Sequence, residues 1–283
     1  MSGPKLVAMV AYMEHKNLAN TTIGEQRARG IADGVHRVQE RIALAEAAAG
    51  RQEGSVQLLA ATKTRDVGEV MAAINAGIRL IGENRPQEVA AKVEGGLPDL
   101  CSQQGLVLGD WACDEDDIPS QQTVGFHVIG QLQSNKINKV IHCVDTIESV
   151  DTLELARKLA KRAQLHGVST GVFLEVNESG EEAKSGCAPE EAEDLAFELA
   201  QLEGLRLKGL MTVGAHVDDE RIIRTGFAHL RDLRDRILSS RQLGTAECTQ
   251  LSMGMTQDME YAIAEGSTEV RVGTAIFGER AFI

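Results

Sequence analysis

The sequence has no surplus of positive charge, no closely spaced cysteine pair and no long apolar run. Lysine and arginine number 29 against 42 aspartates and glutamates, a formal net charge of −13. A nucleic-acid binder needs a basic face to displace counterions from phosphates, so DNA and RNA are excluded as partners. The same balance disfavours an anionic membrane surface. The five cysteines, Cys101, Cys113, Cys143, Cys187 and Cys248, are scattered, with no pair at the spacing of a zinc site or a dithiol redox motif. An odd, dispersed set suits reduced thiols, most of them small core residues, in a cytoplasm. No apolar stretch approaches a membrane span. The run 6–10 is too short for a signal peptide and soon meets Glu14, His15 and Lys16. Aromatics are few, and the composition is otherwise that of a soluble globular protein.

What is present is a rhythm. A chain of 283 residues has the size of one α/β barrel. Residues 1–21 are weakly patterned and read as a mobile tail. Residues 23–49 form a long helix, with Ile31, Val35, Val38, Ile42 and Ala45 on one stripe. Strands are then expected near 57–62, 79–82, 124–129, 143–147, 171–176, 207–213, 249–253 and 269–272. Helices fall between them: 66–76, one from Pro86, one from near Ser134, 151–166 capped by Asp151, one from Pro189, 219–239 and 257–265. Eight alternations imply a closed, parallel (β/α)₈ TIM barrel, preceded by the N-terminal helix. An open doubly wound sheet would usually carry fewer strands and a Gly-rich turn after the first, which is missing. Residues 95–123, with the acids Asp114, Glu115, Asp116 and Asp117, interrupt the rhythm. They read as a solvated insertion on the face away from the chemistry. One domain, 22–283, is expected.

In such barrels the C-terminal strand ends form the site. The first strand ends at Lys63. A lysine desolvated there would offer a free amine to a carbonyl, the chemistry of a Schiff base; a lysine snorkelling from a strand end is the plainer alternative. Ser252, Gly254 and Thr256 after the seventh strand, with Gly273 and Thr274 after the eighth, suit a phosphate cradle of backbone N–H groups and hydroxyls. Ser252 and Thr256 suit helix caps equally well. Arg271, between Val270 and Val272, points into the barrel mouth, toward a ring nitrogen, a carboxylate or a phosphate, or toward a strand-end acid such as Glu175. A lone strand histidine such as His127 is more often a hydrogen-bonded core residue than a ligand. No second histidine stands at metal spacing from it, and no metal is expected.

A strand-end lysine, two phosphate loops and a last-strand arginine suggest pyridoxal phosphate. At these residues the chain resembles the YggS/PROSC family of pyridoxal phosphate-binding homeostasis proteins. The matching pieces are Ala61-Thr62-Lys63-Thr64, Gly82-Glu83-Asn84, the stretch from Phe126-His127 to Asn135-Lys136, Gly209-Leu210-Met211-Thr212, the stretch from Leu251-Ser252 to Met259-Glu260, and Val270-Arg271-Val272-Gly273-Thr274. They run in order from about residue 25 to 280 and are specific together. The resemblance implies an alanine racemase-like barrel of fold type III with pyridoxal 5′-phosphate on Lys63. It implies phosphate ligands at Ser252, at Met253 through its backbone, and at Gly273 and Thr274. Arg271 looks like the partner of the pyridine nitrogen, and Asn84 and His127 look like residues near the ring. Gln131 departs from the family, which usually has histidine there, and the insertion and the tail are also unusual.

The resemblance to alanine racemase raises a catalyst beside a carrier. A two-base racemase needs an acid or base on each face of the substrate α-carbon. Lys63 could serve one face. The chain ends about ten residues after the last strand, so the second domain that supplies alanine racemase's tyrosine is expected to be absent. Tyr12 falls in the tail and Tyr261 in a helix. An arginine at the ring nitrogen keeps the ring a weak electron sink. The expectation is a cytoplasmic carrier that buffers pyridoxal phosphate or delivers it to apo-enzymes, with a low-activity amino-acid racemase as the alternative.

Overall fold

The computed structural model describes residues 17–109, 122–181 and 185–279. Its first helix, α1 (Glu25–Ala48), buries the expected stripe of Ile31, Val35, Val38 and Ile42. The barrel follows as β1 (Gln57–Ala61), α2 (Val67–Asn75), β2 (Leu80–Glu83), α3 (Pro86–Glu94), α4 (Leu97–Ser102), β3 (Val107–Leu108), β4 (Thr123–Val128) and a 3₁₀ helix (Ser134–Lys139). It continues through β5 (Thr146–Val150), α5 (Leu153–His166), β6 (Thr170–Glu175), α6 (Ala192–Ala200), β7 (Leu205–Met211), α7 (Glu220–Ser240), β8 (Gln250–Ser252), α8 (Met259–Ala264), β9 (Glu269–Val272) and α9 (Thr274–Phe277).

Every pairing in the ring is parallel. The order β1-β2-β4-β5-β6-β7-β8-β9 returns to β1, so eight strands close into a barrel and no ring strand has a free edge. The two-residue β3 adds only to the outside of β4. Because α9 has one turn, α1 fills the gap in the helical layer, packing on α2, α8 and α9. Gly34 permits this approach: a Cβ there would meet the Ile276 carbonyl oxygen at 2.4 Å. Side chains on the outer face of the strands join the helices in one large core, while Leu59, Ala61 and Leu80 form a separate inner cluster with Ile129.

The structure differs from the sequence reading in four places. Residues 17–21, expected in the tail, are packed: Leu18 is buried. The Leu18 and Asn20 carbonyls accept from Val67 and Gly68 at 3.1 and 2.9 Å, binding this segment to the start of α2. Residues 1–16 lie outside the described residues. The 95–109 part of the supposed insertion is packed structure, with Leu97, Cys101 and Leu106 in the core. The acidic run and Cys113 lie outside the described residues. β5 begins three residues later than expected, because the apolar residues Val140, Ile141 and Val144 are buried in turns rather than in the strand. α5 is capped by Thr152, whose hydroxyl accepts from the Leu155 N–H at 3.3 Å, and not by Asp151.

Candidate functional site

The C-terminal mouth is built first around Lys63. Leu59 and Ala61 face the interior at the end of β1, and Lys63 stands two residues further on, in the turn that follows. The turn that holds it is tight: the Arg65 N–H donates to the Thr62 carbonyl at 2.9 Å. Thr64 has φ +64°, a left-handed conformation that a β-branched residue rarely adopts. The turn is pinned from outside the barrel. Glu88 accepts the Thr64 N–H at 2.6 Å, and Arg65 donates to the Gly278 carbonyl at 2.8 Å over the Phe277 ring. Asp66 and Glu69 then start α2 with a reciprocal capping box.

Behind this turn, between β2 and α3, lies an ion pair of Lys92 with Glu83, both fully buried. The Thr62 hydroxyl donates to Glu83 at 2.5 Å, and Lys92 donates to the Thr62 carbonyl at 3.3 Å. Burial pushes the Glu83 carboxyl up to about 7; Lys92 pulls it down, and neighbouring Glu88 adds to the rise.

Inside the barrel a second polar cluster spans the floor of the mouth. His127 Nδ1 lies 2.6 Å from Glu148, and its Nε2 lies 3.2 Å from Asp145. The Ser252 hydroxyl lies 2.6 Å from Glu148 Oε2 and 2.7 Å from Glu269 Oε1, and it accepts from Arg271 Nη1 at 2.6 Å. Arg271 also donates to the carbonyls of Ser252 and Thr212, both at 2.7 Å. A hydroxyl has one proton and two lone pairs. Three short contacts around Ser252 are all satisfied when its proton goes to one carboxylate and the other carboxyl carries a proton of its own. Glu269 is that carboxyl: burial and the adjacent Glu148 charge push it up to about 8. Burial opposes protonation of His127, but Asp145, Glu148 and Glu269 outweigh it and hold its pKa well above 6.5. Burial raises Asp145 and Glu148 too, yet His127 brings both below the ordinary carboxylate value, aided for Glu148 by Arg271 and Ser252. Near neutral pH the interior thus holds two cations and two carboxylates.

Most of the expected residues meet at this mouth. Gly273 and Thr274 follow β9, and a Cβ on Gly273 would lie 3.2 Å from the Ala61 carbonyl oxygen, so this turn abuts the end of β1. Asn84 follows β2, and its Oδ1 is buried without a hydrogen-bond partner among the described residues. Gly130 packs on the Asn84 backbone, where a Cβ would come within 2.4 Å of the carbonyl oxygen. Arg271 points inward, but its hydrogen-bonded partners are Ser252 and Thr212 rather than Glu175.

Three of the expected residues stand in other contacts. Ser252 is fully buried and its hydroxyl is already engaged with two carboxyls and Arg271. The Met253 N–H already donates to the Glu269 carbonyl at 3.1 Å. In this loop the partly exposed hydroxyl is that of Thr256. His127 lies below the mouth within the interior cluster. It also lines a cavity of about 720 Å³ at the opposite, N-terminal end, together with Arg79, Asp145, Lys208 and Gln250. The sequence reading sought a second histidine and so missed the carboxylates: His127, Glu148 and Glu269 place ligand atoms within 4.8 Å of one another.

The match with the alanine racemase N-terminal domain family spans residues 35–281. The chain belongs to that family. A pyridoxal phosphate homeostasis protein from Pseudomonas aeruginosa is 38% identical over 89% of this chain and 96% of its own length. The crystal structure of an unknown protein from Bifidobacterium adolescentis is 61% identical, with TM-score 0.87, over 93% of this chain and 100% of that one. PipY of Synechococcus elongatus, solved with pyridoxal phosphate bound, is 31% identical, with TM-score 0.65, over 84% of this chain and 100% of that one. Among the described residues no helix is long and apolar enough to cross a membrane.

Proposed function

We propose that this protein binds pyridoxal 5′-phosphate at the C-terminal mouth of the barrel and serves in its homeostasis, with Lys63 as the Schiff-base lysine. The observation that carries this reading is the convergence of Lys63, Asn84, Arg271 and the Gly273-Thr274 turn on one mouth. The homeostasis proteins and PipY, similar along nearly the whole chain, support it. The residues fit the group. Lys63 supplies an amine for the aldehyde. The first N–H groups of the turn at Thr274 lack intrahelical partners and suit a phosphate, with the Thr256 hydroxyl close in sequence to the same end. Asn84 has an unfilled hydrogen bond. Three of the five Arg271 donors are bonded to Ser252 and Thr212, and those remaining suit an unprotonated ring nitrogen.

When bound, pyridoxal phosphate supplies an electron sink for amino-acid chemistry. The protein's own residues favour keeping the group over using that sink. Arg271 retains its proton, so the ring nitrogen stays uncharged. Among the described residues Tyr261 lies on α8, packed against the outer core. The reading is therefore a carrier that buffers the cofactor and passes it to apo-enzymes, in the cytoplasm.

Borohydride reduction of loaded protein, followed by peptide mapping, should fix the pyridoxyl group on Lys63. An adduct on Lys92 or another lysine would refute the assignment. Loaded protein should restore activity to an apo-enzyme in solution. Racemisation of L-alanine at ordinary enzymatic turnover, roughly 1–10³ s⁻¹, and abolished by Lys63→Ala, would replace the carrier by a racemase.

A further inference from the structure

Arg271 rests on a buried support, and the support is continuous. Asp145 contacts His127 at 3.2 Å, His127 contacts Glu148 at 2.6 Å, Glu148 contacts the Ser252 hydroxyl at 2.6 Å, and that hydroxyl accepts from Arg271 at 2.6 Å. These groups come from β4, β5, β8 and β9 and from the turn before β5, so the chain crosses the barrel interior. It begins at His127 and Asp145, which line the N-terminal cavity, and ends at the guanidinium below the mouth.

A serine hydroxyl is a free rotor, and its single proton goes to the strongest acceptor within reach. Here that acceptor is the Glu148 carboxylate. Once the proton is committed to Glu148, a lone pair of Ser252 faces Arg271 Nη1. Glu148 itself stays 3.9 Å from Arg271, too far for a direct hydrogen bond. It acts on the guanidinium through the serine and through charge. If the Ser252 proton turned instead toward Arg271, donor would face donor, and the guanidinium would be free to swing toward Glu148 or Glu175. The backbone carbonyls of Ser252 and Thr212 fix two N–H groups, but the hydroxyl sets the third.

We propose that Glu148 is a positioning residue that acts through Ser252 to aim Arg271 at the ring nitrogen of bound pyridoxal phosphate. This rests on the proposed binding mode and assigns Glu148 and Ser252 a part in it. Neither touches the cofactor. Their contribution is discrimination: a held guanidinium rewards a ligand with a basic ring nitrogen, whereas a loose one is indifferent to it.

The test compares two ligands, pyridoxal phosphate and its carbocyclic analogue in which C–H replaces the ring nitrogen. Both carry the aldehyde and the phosphate. Wild-type protein should prefer pyridoxal phosphate by about tenfold or more, the scale of one charge-assisted hydrogen bond. Glu148→Gln and Ser252→Ala should each reduce the preference to within about twofold, with affinity for the carbocyclic ligand unchanged, because only the nitrogen contact is lost. Glu148→Asp, which keeps the charge, should restore part of it. Thermal melting of each variant confirms that it is folded. If both variants keep the tenfold preference, or weaken the two ligands equally, the proposal is overturned. A wild-type protein without preference also overturns it, while trapping on Lys63 shows separately whether the cofactor reading stands. If Glu148→Gln does not fold, Ser252→Ala decides alone.

Discussion

Two buried polar clusters flank the mouth of the barrel, and they are built differently. The outer one, behind β1 and β2, joins Thr62, Glu83, Glu88 and Lys92, which lie within about thirty positions of each other in sequence. It is a local brace that holds the backbone of the turn carrying Lys63. The inner one joins Asp145, His127, Glu148, Ser252, Glu269 and Arg271, drawn from opposite parts of the ring. The outer cluster has one lysine facing two carboxyls, while the inner one has two cations and a carboxyl that keeps its proton. The difference suggests a division of labour in which the outer cluster fixes where the amine stands and the inner one sets what the far side of the mouth prefers.

The largest expected effect separates these roles. Lys92→Met leaves the Glu83 carboxyl buried without its cation. Breaking a buried pair in this way should cost about 3–5 kcal/mol, whereas the double change Glu83→Leu with Lys92→Met should recover most of the loss. Urea unfolding measures both. Because the Lys63 turn loosens, Lys92→Met should weaken pyridoxal phosphate and its carbocyclic analogue equally. A selective loss of pyridoxal phosphate would mean that the two clusters are not separate.

Neither cluster is legible in the sequence as a unit, although single residues at the mouth are. Lys63 is read from a strand that stops, and Arg271 from its apolar neighbours Val270 and Val272; both signals are local. Gly273-Thr274 and Asn84 follow strand ends in the same way. Lys92 looks like any solvated helix lysine, because its partners Glu83 and Thr62 lie on other elements. Glu148 did leave a signal: a carboxylate between Ile147 and Ser149 in a strand buried at every position. Glu269 stands two residues before Arg271, on the same face of β9. Neither signal says which partner waits across the barrel, since Ser252 and Glu148 are 104 positions apart. Ser252 is hard to read for the same reason. Its loop looks like a phosphate cradle, and only closure of the ring shows its hydroxyl already bound.

A second measurement contrasts the clusters by pH. Glu269 titrates near 8 in the folded protein and Glu83 near 7, both raised first by burial, against an ordinary value of 4.5. Each binds its proton more tightly folded than unfolded. Stability from this source is therefore complete below about pH 4.5 and is lost as pH rises toward the folded values. His127, raised well above 6.5 by its carboxylates in spite of burial, adds a loss in the same direction at higher pH. Glu269→Gln removes one ionisation while keeping shape and hydrogen bonding. Between pH 5 and 6.5 the downward slope should shrink by up to about 1.4 kcal/mol per pH unit. The Glu83 share should remain. An unchanged slope would mean that Glu269 is already ionised in the folded protein and that Ser252 faces two carboxylates.

The smallest effect concerns the turn that the outer cluster restrains. Thr64 is buried at φ +64°, and its hydroxyl oxygen has no hydrogen-bond partner among the described residues. A left-handed β-branched residue costs on the order of 1–3 kcal/mol. Glycine adopts this conformation freely but adds about 0.5–1 kcal/mol of unfolded-chain entropy to be lost on folding. Thr64→Gly should therefore stabilise the ligand-free protein, by about 1 kcal/mol, while its N–H still donates to Glu88. If the strain holds Lys63 in one orientation, the same variant should bind both ligands a few-fold more weakly. Stability rises and affinity falls because glycine gives the turn other conformations that only binding must exclude. Urea unfolding and ligand titration on one preparation test both halves. A Thr64→Gly protein less stable than wild type by 1 kcal/mol or more would show that packing of the threonine methyl outweighs the strain. The brace would then be the side chain itself rather than the charges behind it.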